Sequence, residues 1–251
     1  MTRSPFSLLL TVAILAFTAS SAFPQPSKLG NFPERPQTEW LDDGRRMVLL
    51  RDFVFVEPDG TKWVAKAAHK PPKDGDLVID GASIPPVFWS VIGGPYEGLY
   101  RNASIVHDAE CVSPYKHRWQ DVHRMLYRAS LAGGTSNLTA KLIFAAVWHF
   151  GPRWQWKDES YSPRAMERVG DALRLVAYIV KNPDISLPDI EALSSEALAS
   201  KLPDEEYERF RRELEQCNDP NGPHAGARGD LEDHKYRRDV MGTPSSPCHG
   251  F

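Results

Sequence analysis

The hydrophobic pattern of this chain changes from a strand pattern to a helix pattern near residue 97, and this change limits the possible folds most. Before it, "MVLLRDFVFV" (47–56) is rich in β-branched and aromatic residues, and "EPDGT" (57–61) separates it from "KWVAK" (62–66). A Pro-Asp-Gly turn between two such runs predicts a β-hairpin. The short apolar run "LVID" (77–80) predicts one more strand. We therefore expect a small antiparallel sheet in the first part of the chain.

After residue 97, apolar residues recur at the spacing of helix faces. Helices are predicted over residues 97–107, 117–130, 136–150, 163–181, 189–200 and 204–217. The third is apolar almost throughout ("LIFAAVWHF"), so we expect it to be the most buried. The fold class is predicted as α+β, with a small antiparallel sheet, a packed helical bundle, a C-terminal helical extension and a polar tail. The predicted boundaries are 23–160 for the core domain, 161–217 for the extension and 218–251 for the loosely ordered tail.

The first 22 residues have the organisation of a secretory signal peptide. Arg3 precedes an apolar run from Phe6 to Phe17, and Ser20 and Ala22 occupy the two positions that a signal peptidase reads. The run is too short for a helix that crosses about 30 Å of hydrocarbon, although an uncleaved anchor is the alternative. We therefore expect a mature chain without a membrane span, which is secreted or periplasmic.

Composition limits the partners and the cysteine chemistry. The formal net charge is -3, which argues against a nucleic-acid partner held by a broad positive potential. The three cysteines, Cys111, Cys217 and Cys248, allow three pairings in an oxidising compartment, each leaving one thiol over. The pair Cys217–Cys248 is weakly favoured because the two residues flank the polar tail.

A stiff corner follows the last predicted strand, in "VIDGASIPPVFWSVIGG" (78–94). Asp80 ends the strand, and Gly81 permits a sharp turn. In a structural interpretation, Asp80 accepts backbone N–H bonds and Ser83 caps a short helix that has proline in its first turn. In a catalytic interpretation, Ser83 is a nucleophile, but Pro85 stands where the G-x-S-x-G elbow has its second glycine and offers no N–H.

A second polar group stands in "IVHD" (105–108), where we expect a helix to end so that His107 and Asp108 reach one centre. His123, sixteen residues further on, borders the buried face of the next predicted helix. Three interpretations stay open. The residues form a structural hydrogen-bond knot, or His107, Asp108 and His123 hold a divalent metal such as zinc, or the cluster performs acid–base chemistry without a metal.

Three segments, "DGASIPPVFW", "GGPYEGLYRNASIVHD" and "RWQDVHRMLYRA", resemble the domain-of-unknown-function family 1353 of phages and bacteria. The resemblance covers about residues 51–154 and implies a small sheet followed by packed helices. It carries no established activity. Many members of that family have aspartate where this chain has His123. The polar positions that match the family here are Asp80, Gly81, Ser83, Pro85, His107 and Asp108.

Two functional hypotheses follow. In the first, the chain is an exported metal-dependent or acid–base hydrolase of a cell-envelope polymer, with Asp80, Ser83, His107 and Asp108 as catalytic residues. Any metal would be held by His107, Asp108 and His123. In the second, it is a non-catalytic envelope or phage-related accessory protein that binds a partner, and the Asp/His cluster is a structural knot.

Overall fold

The computed structural model describes residues 28–44, 46–81, 84, 88, 92, 98–112, 116–155 and 169–218. The side chains of Val169, Cys217 and Asn218 are not described. The predicted signal peptide, Ser83, Pro85 and the polar tail lie outside the described residues. So does the predicted Cys217–Cys248 pair. Cys111 is a free cysteine.

Five short strands form two small antiparallel sheets. The strands are β1 (Thr38–Trp40), β2 (Met47–Leu49), β3 (Phe53–Val56), β4 (Lys62–Ala65) and β5 (Val78–Ile79). One sheet has the order β1-β2-β5, and the other is the β3-β4 hairpin, which pairs Phe53 with Ala65 and Val56 with Lys62. The predicted hairpin is thus confirmed. Its turn closes where the Gly60 N–H donates to the Glu57 carbonyl at 3.0 Å, with Gly60 at φ +88°.

Residues 47–56, predicted as one strand, divide into β2 and β3, which lie in different sheets. The interruption falls at Asp52, whose carboxylate accepts the Ala67 N–H at 2.9 Å and the Lys66 ammonium at 2.6 Å. A side chain that takes a backbone N–H bond replaces a ladder bond at that point. The strand pattern in the sequence carries no sign of this exchange.

Seven helices follow within the described residues, so the α+β class is confirmed. Their bounds are α1 (Arg101–Val112), α2 (Trp119–Ala132), α3 (Asn137–Phe150), α4 (Val169–Lys181), α5 (Leu187–Glu191), α6 (Ser195–Lys201) and α7 (Asp204–Asn218). The predicted cap of α3 is present, since the Ser136 hydroxyl accepts the Thr139 N–H. In the described part of the chain, no helix has the length and apolarity needed to cross a membrane.

The core lies between the β3-β4 hairpin and the helices. Helix α1 packs on this hairpin, α2 packs on α1 and α3, and α4 packs on α3. Every residue from Ala140 to His149 is buried, which confirms that α3 is the most buried long helix described. One continuous apolar cluster joins the hairpin, through Phe55, to the extension, through Leu175 and Leu198. The extension therefore buries its apolar face against the rest of the protein.

An ion pair between α2 and the hairpin turn supplies a stability test. Arg128 donates two hydrogen bonds of 2.6 Å to Glu57, whose side chain is only 9% exposed. We expect Arg128→Met to lower the free energy of unfolding by about 1–3 kcal/mol, because a nearly buried carboxylate loses its charged partner. The control is Lys66→Met at the exposed pair Lys66–Asp52, expected to change stability by less than about 0.5 kcal/mol. Urea unfolding measures both, and equal losses would contradict the expectation.

Candidate functional site

Helix α1 carries three polar side chains of the candidate site. The expected end of this helix at His107 and Asp108 is wrong, because α1 continues to Val112. His107 and Cys111 are four residues apart and lie on one face, whereas Asp108 is turned by about 100°. His107 is 7% exposed and Asp108 is 8% exposed. Helix α1 thus places a largely buried imidazole and carboxyl side by side, with the atoms His107 Nδ1 and Asp108 Oδ1 4.0 Å apart.

His107 meets His123 of α2 in a buried imidazole pair. The distance from His107 Nε2 to His123 Nδ1 is 3.0 Å, and His123 Nε2 lies 3.1 Å from the Pro152 carbonyl oxygen. A carbonyl only accepts, so His123 Nε2 carries a hydrogen and donates it. In neutral His123 the Nδ1 atom then accepts, and His107 Nε2 is the donor. The two hydrogen bonds from His107 to His123 and from His123 to Pro152 form an imidazole relay. In this relay, Nδ1 of a neutral His107 carries no hydrogen.

His123 is kept neutral by its surroundings. It is 0% exposed, and its ring packs edge-on against Trp119 and Trp154, with centroid distances of 5.4 and 6.3 Å. Burial, and after it the neighbouring His107, holds the pKa of His123 well below its ordinary value. The direction of the relay, from His107 to His123 to the Pro152 carbonyl, is fixed as a result.

Asp108 is the unusual member of the cluster. Its Oδ2 atom is buried and has no hydrogen-bond partner, a property shared among the described side chains only with Thr135 Oγ1 and His149 Nδ1. Burial, and after it the charge of Asp80, raises the pKa of Asp108 well above its ordinary value. Asp108 therefore holds its proton to a higher pH than an exposed aspartate does. Such a carboxyl can donate a proton, and its Oδ2 atom has no hydrogen-bond partner within the described residues.

Asp80 stands at the edge of this cluster. It follows β5, is exposed, and is succeeded by Gly81 at φ +90°, the sharp turn that the sequence predicted. Its charge acts on Asp108, so the end of β5 lies beside α1. The structure thus brings Asp80, Asp108, His107 and His123 into one neighbourhood, whereas Ser83 lies outside the described residues.

Cys111 belongs to the same neighbourhood, although the sequence suggested only a disulfide role for it. Its sulfur lies 3.8 Å from His107 Nδ1 and 3.9 Å from His107 Nε2, and the residue is half-buried. The signal was present in the sequence as the spacing His107-x-x-x-Cys111, which puts both side chains on one helix face.

The predicted metal site finds only partial support in the donor set. Two imidazole nitrogens face each other at 3.0 Å, and His123 has the backbone carbonyl partner usual for a ligating histidine. Within the described residues, however, no group of three His, Cys, Asp or Glu side chains could hold an ion. The ligand set His107, Asp108 and His123 therefore stays a prediction, and we derive no step from a metal.

His149 lies outside this cluster, as a buried core histidine of α3. It is 0% exposed, and its Nε2 atom lies 2.8 Å from the Ile190 carbonyl oxygen, to which it donates. Burial is the main cause that lowers its pKa to about 4. The other described histidines that have acidic partners are His117, 2.8 Å from Glu110, and His69, 2.7 Å from Asp76.

The lowered pKa of His149 predicts an acid-sensitive stability. Between pH 6.5 and about 4 the unfolded chain binds a proton at this position and the folded chain does not, so stability falls as the pH falls. We expect the wild-type protein to lose about 2–3 kcal/mol more than His149→Phe between pH 7 and pH 4. Urea unfolding across this range measures the difference, and parallel pH profiles would show that His149 does not contribute.

Two surface pockets contain none of the cluster residues. One, of about 640 Å³, lies between α4, α5 and α6 and includes Tyr178 and Lys201. The other, of about 360 Å³, lies beside β1 and includes Trp40 and Pro71. As far as the described residues define it, the candidate site is a buried polar cluster beside Asp80 and not one of these two pockets.

Fold and site together define a small α+β protein in which a strand end and two helices enclose an Asp/His cluster. Residues 47–147 match the model of the family described as "Protein of unknown function (DUF1353)". The resemblance noted in the sequence is thereby confirmed, and the matched segment holds β2 to β5 and α1, α2 and most of α3.

Two curated relatives come from Sinorhizobium fredii (strain NBRC 101917 / NGR234). The chain is 32% identical to "Uncharacterized protein y4jT" over 200 residues, which are 74% of this chain and 55% of the relative. It is 37% identical to "Uncharacterized protein y4iH" over 112 residues, which are 45% of this chain and 43% of the relative. The chain thus spans about half the length of the curated relatives it matches. No solved structure matches it.

Proposed function

We propose that this protein is an exported acid–base hydrolase that acts on a cell-envelope polymer. The observation that carries the proposal is Asp108, a buried carboxyl with a raised pKa, 4.0 Å from an imidazole, whose Oδ2 atom has no partner among the residues that the structure describes. An unpaired buried carboxyl destabilises a fold, so its presence beside a second ionisable group is typical of a catalytic site.

Each residue of the cluster takes a definite role in this proposal. Asp108 is the general acid and gives its proton to the leaving group, and His107 Nδ1 is the base that takes a proton from the attacking group. His123 is a positioning residue, because its hydrogen bonds to His107 and Pro152 place the hydrogen of a neutral His107 on Nε2 and leave Nδ1 as the acceptor. Burial is the main cause that raises the pKa of Asp108, and the charge of Asp80 adds to it, so Asp80 helps to keep the acid protonated.

The compartment and the substrate are proposed from the first 22 residues. A signal peptide followed by cleavage near Phe23 would deliver the chain to the cell envelope, whose polymers are the substrates within its reach. Expression with the full leader, followed by N-terminal sequencing of the exported product, tests this step. A product that begins near Phe23 supports export, and a product retained in the cytoplasm with Met1 present contradicts it.

Release of soluble fragments from purified peptidoglycan, followed by chromatography and mass spectrometry, tests the chemistry. Asp108→Asn is expected to slow release by about 100-fold or more, the usual contribution of a general acid. The matched control is Asp121→Asn, on the exposed first turn of α2, which is expected to retain full activity. Equal rates in wild type and Asp108→Asn would contradict the assignment of the acid.

One observation favours the non-catalytic alternative, in which the cluster is a structural knot. His123 is 0% exposed, and both of its ring nitrogens have hydrogen-bond partners. Such a group ties α1, α2 and the Pro152 segment together whether or not the protein is an enzyme. In this case the chain is an envelope accessory protein, and Asp108→Asn lowers the free energy of unfolding.

A further inference from the structure

We propose that Cys111 is the nucleophile of this site, with His107 as its base, so that the bond that is cleaved is an acyl bond, an amide or an ester. This inference rests on the proposed hydrolase function and makes it more specific. It names the attacking atom, which the acid–base assignment alone leaves open, and it selects the peptide or ester linkages of an envelope polymer over its glycosidic linkages.

The first support is the position of the thiol. Cys111 Sγ lies 3.8 Å from His107 Nδ1 and 3.9 Å from His107 Nε2, at the i,i+4 spacing of α1. The sulfur is thus at nearly the same distance from both ring nitrogens. Rotation about the Cβ–Sγ bond can direct the S–H at Nδ1. Cys111 is half-buried, so part of the residue is open to solvent.

The second support is the direction of the imidazole relay. His107 Nε2 donates to His123, whose Nε2 donates to the Pro152 carbonyl. Nδ1 is therefore the nitrogen of His107 that can receive the thiol proton. Nucleophilic catalytic sites contain a nucleophile, a base and a third group that orients the base, and they are recognised by geometry and not by chain order. Here these parts are Cys111, His107 and His123.

The third support, which does not depend on the thiol, is Asp108. Its Oδ2 atom is buried without a partner among the described residues, on the helix position next to His107. A protonated carboxyl of this kind can donate a hydrogen bond to the oxygen of a polarised carbonyl group, as well as a proton to a leaving group. The unmet hydrogen-bonding capacity of Asp108 thus suits an acyl substrate.

The reaction balances without an added oxidant, reductant or metal. The sulfur attacks the carbonyl carbon, the S–C bond forms, and the thiol proton passes to His107 Nδ1. The intermediate then collapses, the C–N or C–O bond breaks, and the leaving group takes the proton of Asp108. Water attacks the resulting thioester and gives one proton to the Asp108 carboxylate. The S–C bond breaks, the sulfur recovers its proton from His107, and the acid product leaves.

Alkylation of the full mature chain with iodoacetamide at pH 7 tests the thiol directly, with peptide mapping by mass spectrometry to follow Cys111 alone. We expect Cys111 to react at least about tenfold faster than N-acetylcysteine under the same conditions, and His107→Gln to remove this advantage. The matched control is Cys111→Ala combined with Val112→Cys, which places a thiol at the exposed neighbouring position, 51% exposed in Val112. That thiol should react at the rate of N-acetylcysteine.

Two kinds of result would overturn the inference. One is a Cys111 that reacts no faster than N-acetylcysteine, or that reacts equally fast with and without His107. The other comes from peptidoglycan release, where Cys111→Ala with full activity and Asp108→Asn without activity would mean that water attacks directly. That pattern would rule out Cys111 as the nucleophile and leave the proposed function intact. Full activity in both variants would rule out the Cys111 nucleophile and the proposed function together.

Discussion

Replacing Asp108 by asparagine is expected to stabilise the folded protein at neutral pH, even though it removes a residue that we assign to catalysis. The pKa of Asp108 is higher in the folded protein than in the unfolded chain. Above the unfolded value of about 4, the folded state therefore binds more protons at this position, and stability falls as the pH rises through the folded pKa. Asparagine does not ionise, so Asp108→Asn does not show this fall in stability with rising pH.

The gain should grow with pH. Near pH 4 both proteins carry a neutral side chain, and we expect similar free energies of unfolding. At pH 8 we expect Asp108→Asn to be the more stable of the two proteins, because only the wild type carries a carboxyl whose ionisation is opposed by burial. Urea unfolding of both proteins from pH 4 to pH 8 measures the difference, and Asp121→Asn on the exposed side of α2 should show none. A loss of stability at pH 8 would assign Asp108 to a structural knot.

His123→Ala should have the opposite effect and the largest one in the cluster. The substitution leaves the His107 Nε2–H and the Pro152 carbonyl without their partner and opens a cavity beside Trp119 and Trp154. We expect a loss of about 3–5 kcal/mol, the range for removal of a large buried side chain.

Two controls give this prediction its meaning. His123→Phe fills the cavity but makes no hydrogen bonds, so it should recover part of the loss and leave about 1–3 kcal/mol. Arg211→Ala removes an exposed arginine whose partners Glu208 and Glu215 are exposed as well, and it should change stability by less than about 0.5 kcal/mol. A loss of less than about 1 kcal/mol in His123→Ala would contradict the contribution to stability that we assign to the imidazole relay.

The sequence predicted those parts of the fold that local chemistry decides. The Pro-Asp-Gly turn specified the β3-β4 hairpin, Ser136 specified the start of α3, and Gly81 marked the turn after β5. In each case one residue type satisfies a backbone requirement within a few positions, so the signal is complete in the sequence.

Other features depended on tertiary contacts that a sequence pattern does not contain. Helix α1 continues past Asp108 to Val112, whereas the pattern of apolar residues ends at His107. The division of residues 47–56 coincides with the hydrogen bond that the Ala67 N–H donates to Asp52. The role of Pro152 was hidden for a further reason, since its backbone carbonyl, and not its side chain, receives the His123 hydrogen.

The sequence predicted most residues of the candidate site but not the geometry in which they meet. Asp80, His107, Asp108 and His123 were all selected from the sequence, and the structure gathers them. Coordinates were required for the pairing of the two imidazoles at 3.0 Å and for the Asp108 Oδ2 atom, which has no partner within the described parts of the chain. Both features depend on which helix faces meet. Cys111 shows the converse, a contact that helix periodicity alone could have indicated.

The protonation state of Asp108 at neutral pH tests most directly whether this residue is the general acid. Carbon-13 NMR of protein labelled at the aspartate carboxyl carbons, titrated from pH 3 to pH 9, would follow each side chain, and Asp108→Asn would identify the resonance by its absence. The proposed acid requires that this resonance keep the chemical shift of a protonated carboxyl well above pH 4. A resonance that titrates near pH 4, as those of exposed aspartates do, would show that Asp108 is charged at neutral pH and cannot be the acid.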